Sequence, residues 1–295
     1  MNNKNKITKA VIPAAGLGSR FLPYTKTVPK EMLPILNVPS IHYIIQEAID
    51  SGITEIIIIT SSTKQALVNY CDRNIALENE LIFKNKKDLI DVVKGFHKKC
   101  NFIFLRQHQP KGLGHAILQA KNLIGNESFA ILLGDDVIYS PKNPALKQLI
   151  NIYEKYNCSI VGVQEVPMNK VTNYGVVDLK KELEIDTWEL KGLVEKPAIQ
   201  DAPSNLSIMG RYILKPEIFE FLAEKNVDLK TNEIQLTDSI LKLLKFGEVI
   251  AYKFKGKRYD MGSIIGFLEA QIEYALRDPL LRNKVIDLVR KEIKE

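Results

Sequence analysis

The sequence predicts an α/β fold: a mixed, mostly parallel central sheet flanked by helices, with a C-terminal helical tail. Three observations carry that expectation. In the first half, apolar β-branched runs alternate with segments of helical spacing, the rhythm of parallel strands joined by right-handed crossovers. A glycine- and proline-rich loop directly follows the first strand, at the sheet edge where such folds bind ligands. In the second half the strands are shorter with few helices between them, which reads as an extension of the same sheet.

Residues 9–14 read as a buried strand, and the loop behind it runs to about Pro39. Ser40 is placed to N-cap a helix whose Ile41, Ile44, Ile45, Ala48 and Ile49 share one face, and Gly52 to end it at the C′ position. A β-branched strand at 55–60 follows, then a helix at 64–77 and a mostly charged helical insertion at 80–96. Strands at 101–105 and 129–133 enclose a helix at 115–123, and a helix at 143–156 leads into a strand at 159–163. Later strands are expected at 174–179, 189–194, 208–214 and 249–254, with helices at 217–223, 239–244 and 264–276. Pro279 opens a last helix to about Lys294, whose apolar face (Leu280, Leu281, Val285, Leu288, Val289) either packs on the chain or forms a subunit interface. No repeat or flexible linker interrupts the sequence, so residues 1–295 are expected to form one domain.

Composition excludes several classes. With 295 residues, 45% hydrophobic and 26% charged, the chain is neither a disulfide mini-protein nor a disordered segment. Cys71, Cys100 and Cys158 lie far apart without a CxxC, which argues against structural zinc and disulfides and fits a reducing cytoplasm. His42, His97, His108 and His115 show no metal-ligand spacing. Lys4, Lys6 and Lys9 precede an apolar stretch as in a signal peptide, but Pro13 and Gly16 cut it short. No apolar run approaches the ~20 residues of a membrane span. The net charge of +6 is spread along the chain, so neither a nucleic-acid nor a membrane partner is expected.

The loop 14–21 (Ala14, Ala15, Gly16, Leu17, Gly18, Ser19, Arg20, Phe21) lets backbone N–H groups close in on an anion. A dinucleotide fingerprint fails: Phe21 replaces its third glycine, and Thr60 and Ser61 stand where it needs an acid. A Walker A pattern is absent. Pro23, Pro29 and Pro34 prevent an immediate long helix, and Arg20, Lys26 and Lys30 are spread along the rigid loop. A glycine turn with fixed cations suits a polyphosphate; the alternative is a structural turn with solvated lysines.

From Lys9 through Pro23, continued by Pro29-Lys30-Glu31-Met32-Leu33-Pro34, the sequence resembles the signature of bacterial UTP–glucose-1-phosphate uridylyltransferases, which belong to the sugar-phosphate nucleotidyltransferases. Further blocks keep the family order: Gln107 with Lys111-Gly112-Leu113-Gly114-His115-Ala116, Gly134-Asp135-Asp136, Asn173-Tyr174-Gly175-Val176 and Val194-Glu195-Lys196-Pro197. Gly210-Arg211-Tyr212-Ile213, Leu236-Thr237-Asp238 and Arg258-Tyr259-Asp260-Met261-Gly262 complete the series, so the resemblance runs from about Lys9 to Ala275. Ser19 replaces a common Thr and keeps the hydroxyl, Tyr24 replaces a small residue, and the insertion at 80–99 has no chemical signature.

The resemblance implies a Rossmann-like nucleotidyltransferase fold. It also implies transfer of the uridylyl group of UTP to α-D-glucose 1-phosphate, giving UDP-glucose and pyrophosphate by Mg2+-assisted in-line attack without a covalent intermediate. Two polyanions must then meet, and even at an effective dielectric of about 20 their repulsion reaches several kcal/mol, so the site must supply cations, fixed donors and a metal. By the same resemblance Arg20 and Lys26 hold the UTP phosphates and the leaving pyrophosphate, and Lys196 holds the sugar phosphate. Ala14, Ala15, Gly16, Gly18, Glu31, Gln107 and Gly112 line the nucleotide site; Asp136, Gly175 and Glu195, with Lys196, the sugar-phosphate site. Spacing alone reads Asp135-Asp136 as a helix cap or Asx turn, and the resemblance adds Asp135 and Asp260 as the Mg2+ pair. Asp136 orients the sugar or a water beyond the metal's own ligands, and His115 is a capping or packing group. The expected halves are a nucleotide-binding half to about residue 165, a sugar-phosphate half at 166–262 and helices at 263–295, in a homodimer or homotetramer. The rivals are a glucose-1-phosphate thymidylyltransferase, separated by one methyl group worth roughly 1–3 kcal/mol, an NAD-dependent dehydrogenase, and a non-catalytic sugar-nucleotide sensor.

Overall fold

The apolar runs of the sequence become the strands of one nine-stranded sheet in the computed structural model, which describes residues 6–96, 98–224 and 232–293. Lys4, His97 and Lys294 lie outside the described residues. In chain order the strands are β1 (Lys9–Pro13), β2 (Pro34–Ile35), β3 (Val38–Pro39), β4 (Glu55–Thr60), β5 (Asn101–Arg106), β6 (Phe129–Leu132), β7 (Asp136–Tyr139), β8 (Ser159–Glu165), β9 (Gly175–Glu184), β10 (Thr187–Glu195), β11 (Leu206–Leu214), β12 (Val249–Lys253) and β13 (Lys257–Asp260). The helices are α1 (Ser40–Asp50), α2 (Gln65–Cys71), α3 (Ile75–Phe83), α4 (Lys87–Val93), α5 (Leu113–Leu118), α6 (Lys121–Ile124), α7 (Ala145–Tyr156), α8 (Ile218–Ala223), α9 (Leu236–Leu243), α10 (Ile264–Arg277) and α11 (Arg282–Ile293).

The sheet order is β5-β4-β1-β6-β11-β8-β12-β10-β9. Parallel pairing joins β5, β4, β1 and β6, and β8 to β12; β11 and β10 alone run against the other seven strands. The sheet is therefore mixed, with seven of its nine strands running one way, and the second-half strands extend it. Side chains alternate between its faces with period two: Ile12, Ile56 and Ile58 enter one apolar cluster, and Val11, Ile57 and Ile59 the other. Burial on both faces is why these strands read as unbroken apolar runs.

Helix α1 ends as the sequence predicts. Gly52 has φ +96°, the Ile53 N–H donates to the Ala48 carbonyl at 3.1 Å and the Gly52 N–H to Ile49 at 2.9 Å, a Schellman closure. Its start differs: Pro39 occupies the cap position, and Ser40 is buried inside the first turn with its hydroxyl donating to the Glu31 carbonyl at 3.0 Å. Ser40 thus ties α1 to the loop after β1 instead of capping the helix.

Other helices are shorter than expected. The helix expected at 64–77 breaks at Asp72, and Asn74 caps α3 by accepting from the Leu77 N–H at 3.0 Å. The insertion forms α3 and α4, the helix at 115–123 divides into α5 and α6, and the last helix starts at Arg282 rather than Pro279. Four strands are new: the two-residue strands β2 and β3 in the loop after β1, and β7 and β13. β7 and β13 pair antiparallel with Asp136 opposite Asp260; each is four residues long, too short for alternation to reveal it.

At the centre of β11, Arg211 is fully buried. Its Nε and Nη2 donate to the two Glu47 carboxylate oxygens at 2.9 and 2.8 Å, and Nη2 also donates to the Asp136 carbonyl at 2.8 Å. Glu47, on α1, also accepts from the Leu146 N–H at the start of α7 at 3.0 Å. Removing one partner strands the other charge in a low dielectric. Glu47→Ala is therefore expected to lower unfolding free energy by about 3–5 kcal/mol, read as a fall in the urea midpoint at unchanged slope; a loss below about 1 kcal/mol contradicts the arrangement.

Candidate active site

The loop after β1 is shaped by local bonds. Gly18 has φ +69°, and a Cβ there would press on Lys30 Cβ and Thr25 Cγ2 at 3.1 Å, so the position requires glycine. The Thr25 hydroxyl donates to the Gly18 carbonyl at 2.7 Å, and Phe21 packs edge-on against Phe267 of α10. Arg20 Nη1 donates to the Gly262 carbonyl at 3.1 Å, across the site from its own strand.

The β7–β13 ribbon brings the predicted acids together. The Met261 N–H donates to the Asp135 carbonyl at 2.8 Å, and the Gly262 N–H to Asp260 Oδ1 at 2.9 Å. A Cβ built on Gly262 would lie 3.0 Å from Asp260 Oδ1, 3.1 Å from Asp135 Oδ2 and 3.3 Å from Arg20 Nη1. Two carboxylate oxygens thus converge on one small space that only glycine leaves open, a donor pair that fits a hard divalent cation completed by water and phosphate oxygens.

Lys30 also reaches Asp135. Its Nζ donates to Asp135 Oδ2 at 2.6 Å. Burial opposes ionisation of Asp135, but Lys30 and Arg258 outweigh it and hold the carboxyl below its ordinary range. Asp136 moves the other way: burial and the neighbouring Asp135 and Asp260 charges raise it, against the pull of Arg258 and Arg211. Arg258 Nε donates to Asp136 Oδ1 at 2.5 Å and its Nη1 to the Tyr174 hydroxyl at 3.0 Å.

Two cavities meet at Asp135. One, of about 440 Å3, is lined by Ala15, Gly16, Gly18, Lys30, Glu31, Gln107 and Gly112. The other, of about 530 Å3, is lined by Arg20, Asp136, Gly175, Glu195, Lys196, Arg258 and Asp260. Asp135, Leu113 and Leu133 line both. Ala14 is buried beside the first, with its N–H on the Ile59 carbonyl at 2.8 Å.

In the smaller cavity the Gln107 side-chain nitrogen is 3.2 Å from the Gly112 carbonyl and 2.9 Å from His115 Nδ1. His115 therefore orients Gln107 from the first turn of α5. Gly112 has φ +91°, and a Cβ there would lie 2.7 Å from Glu233 Cβ. Both oxygens of the Glu31 carboxylate are engaged, accepting from Lys64 Nζ at 2.9 and 2.8 Å. Burial pulls the two ionisations together, Glu31 upward and Lys64 downward. In the larger cavity Glu195 Oε2 accepts from the Thr237 hydroxyl at 2.6 Å, and a Cβ on Gly175 would lie 3.2 Å from that carboxylate oxygen. Lys196, at φ +45° and 57% side-chain exposure, is the available cation at this rim, 3.5 Å from Glu195 Oε1.

Lys26 is not gathered with these residues. It lines a third cavity, of about 340 Å3, with Ser19, Ser61, Thr63 and Lys64 on the far side of the 15–19 turn. Sequence reasoning read Lys30 only as one of three loop cations suited to a polyphosphate and gave no role to Lys64, Arg258 or Thr237. Lys30, Arg258 and Thr237 stand inside the motif blocks, which was a usable signal; Lys64 stands in none.

Residues 9–276 match the family described as Nucleotidyl transferase. The chain is 50% identical over 285 residues to a UTP–glucose-1-phosphate uridylyltransferase of Staphylococcus haemolyticus, covering 97% of this chain and 98% of that protein. Among solved structures it is similar to a UDP-glucose pyrophosphorylase complexed with UDP-glucose (TM-score 0.82, 47% identity, 92% of this chain and 100% of the other). It is also similar to the UTP-bound UGPase of Acinetobacter baumannii (TM-score 0.89, 39% identity, 96% and 99%).

Gly210 tests how tightly the acid pair is held. It has φ +60°, and a Cβ there would overlap Asp136 Oδ2. Gly210→Ala is expected to cost at least about 1–2 kcal/mol from the left-handed backbone alone, measured by thermal unfolding, and unchanged stability contradicts this packing.

Proposed function

The chain belongs to the nucleotidyl transferase family, among its UTP–glucose-1-phosphate uridylyltransferases, and we propose from its site how it joins UTP to α-D-glucose 1-phosphate to give UDP-glucose and pyrophosphate. The observation that carries the reading is the meeting of the two cavities at Asp135, with the glycine turn and Gln107 on one side and Glu195 and Lys196 on the other.

The nucleotide occupies the smaller cavity. Backbone N–H groups of the 15–18 turn cradle the phosphates, while Ala14, its own N–H held by Ile59, supports the turn from beneath. Gln107 spends its amide nitrogen on Gly112 and His115, which leaves its carbonyl oxygen to accept from the uracil ring N–H. The glycine at 112 lets the base approach the backbone. Glucose 1-phosphate occupies the larger cavity, where Glu195, held by Thr237, accepts from sugar hydroxyls. Gly175 leaves room for the ring, and Lys196 binds the phosphate. Asp136 stays with Arg258 and orients the sugar side of the site.

The sugar phosphate then attacks the α-phosphorus in line and pyrophosphate leaves, with no covalent intermediate. The reaction needs positioning and charge neutralisation rather than a nucleophilic side chain. Arg20 and Lys30 supply cationic charge near the reacting phosphates, and Lys26 flanks the exit side of the turn for pyrophosphate. The family generally uses a divalent metal; Asp135 and Asp260 would hold Mg2+, which supplies Lewis-acid neutralisation of phosphate charge. No helix among the described residues is long and apolar enough to cross a membrane, and the three free, buried cysteines support a reducing cytoplasm. Exposed Ile264, Ile265 and Leu268 on α10 and Leu288 on α11 support a homo-oligomer.

Pyrophosphate release from glucose 1-phosphate and Mg2+, compared across UTP, dTTP, ATP, CTP and GTP, tests the reading: the expected result is a strong preference for UTP that EDTA abolishes. Asp135→Ala and Asp260→Ala should each remove metal-dependent turnover by about two orders of magnitude or more with the fold retained by circular dichroism; near-wild-type rates in both would sink the metal assignment. Lys196→Ala should raise KM for glucose 1-phosphate about tenfold or more while leaving that for UTP within about twofold, and equal losses for both substrates would move Lys196 out of the sugar-phosphate site.

A further inference from the structure

We propose that Lys64 is a positioning residue: by engaging both carboxylate oxygens of Glu31 it leaves the Lys30 ammonium for Asp135. The kinetic consequence rests on the nucleotidyl-transfer reading; the charge arrangement does not.

Lys64 and Glu31 are both buried, and Lys64 Nζ lies 2.8 and 2.9 Å from the two Glu31 oxygens. Lys30 is the neighbouring residue in the chain, and its single ammonium has three acids within electrostatic reach, Asp135 and Glu31 foremost and Asp136 more weakly. It donates to Asp135 Oδ2 at 2.6 Å. A buried carboxylate without a partner costs far more than an exposed one, so Glu31 must take a cation from somewhere. Lys64 meets that demand from the end of a separate segment. Glu31 also lies close to the acids, since a Cβ built on Gly134, the residue before Asp135, would sit 3.4 Å from its Cγ, and at 1% exposure its charge is met by protein groups rather than by water. The result is a row of alternating charge, Lys64, Glu31, Lys30, Asp135. Taking away Lys64 leaves Glu31 to draw Lys30 back, away from the oxygen that faces Asp260 and from the reacting phosphates. Taking away both Lys64 and Glu31 charges removes the competition and returns Lys30 to Asp135.

The full-length chain tests this as wild type, Lys64→Met, Glu31→Gln and the double variant. At saturating UTP, glucose 1-phosphate and Mg2+, Lys64→Met is expected to lose about tenfold or more in kcat with KM for UTP within about threefold, and the double variant to recover most of the loss. An unimpaired Lys64→Met enzyme overturns the proposal. So does a double variant no faster than the slower single one, since Glu31 would then act on the nucleotide directly. Urea unfolding of the same proteins gives a readout that needs no turnover: each single substitution should be more destabilising than the two together. Additive losses overturn the proposal even in a chain that releases no pyrophosphate, whereas absence of release from the wild type with a non-additive cycle counts against the transfer reading alone. Where Lys64→Met does not fold, Lys64→Gln, which still donates to one Glu31 oxygen, takes its place with an intermediate loss of kcat expected and wild-type kcat overturning the proposal.

Discussion

A guanidinium with no access to water sits at the centre of this molecule, and the site is built around its demands. Arg211 on β11 satisfies its donors with both oxygens of Glu47, with the Asp136 carbonyl and with the Gly210 carbonyl at 3.1 Å. Glu47 in turn accepts the Leu146 N–H, placing a carboxylate at the N-terminal end of α7 where the helix dipole favours it. One charge pair therefore locks α1, β7, α7 and β11 together. A buried pair is favourable only when its remaining hydrogen-bonding capacity is used, and here that requirement fixes where the backbone of Asp136 lies. The neighbouring Asp135 and the β7–β13 pairing inherit that position.

Around this anchor the polar groups of the site are arranged as pairs rather than as an excess of one sign. Lys64 meets Glu31, Lys30 meets Asp135 and Arg258 meets Asp136. Each acid fixes the direction of a cation that would otherwise be a mobile chain, and each cation offsets the cost of burying an acid. Such a site is held in shape before two polyanions arrive, so little reorganisation is left for the reaction itself. The same pairing explains why neighbouring carboxyls shift in opposite directions: Asp135 is dominated by Lys30 once burial is overcome, while Asp136 feels burial and two other acids.

Much of this was legible in the residues. The central strands read correctly because burial on both faces makes them continuous apolar runs, and the end of α1 read correctly because Gly52 supports a positive φ that other residues resist. Helix lengths were less legible. Residues 64–77 keep a helical composition across Asp72, and only the capping of α3 by Asn74 shows that two helices meet there. Ser40 has the composition of a cap but a buried hydroxyl bonded to Glu31, a partner that no local pattern identifies.

By itself the sequence determined the strand runs of the parallel half, the glycine turn, the order of the motif blocks and hence the family, because these depend on neighbours within a few residues. Only the tertiary structure decided which cation reaches which acid. Lys26 and Lys30 are equivalent as letters on one loop, yet Lys30 meets an acid 105 positions away while Lys26 faces another cavity. The reason is that Gly18, Thr25 and the short turns of the loop set its path, and a four-residue ribbon, β7 with β13, carries the acids to it. Pairing between segments more than a hundred residues apart leaves no periodic trace in either segment, so the chemistry of the site is written in contacts that exist only after folding.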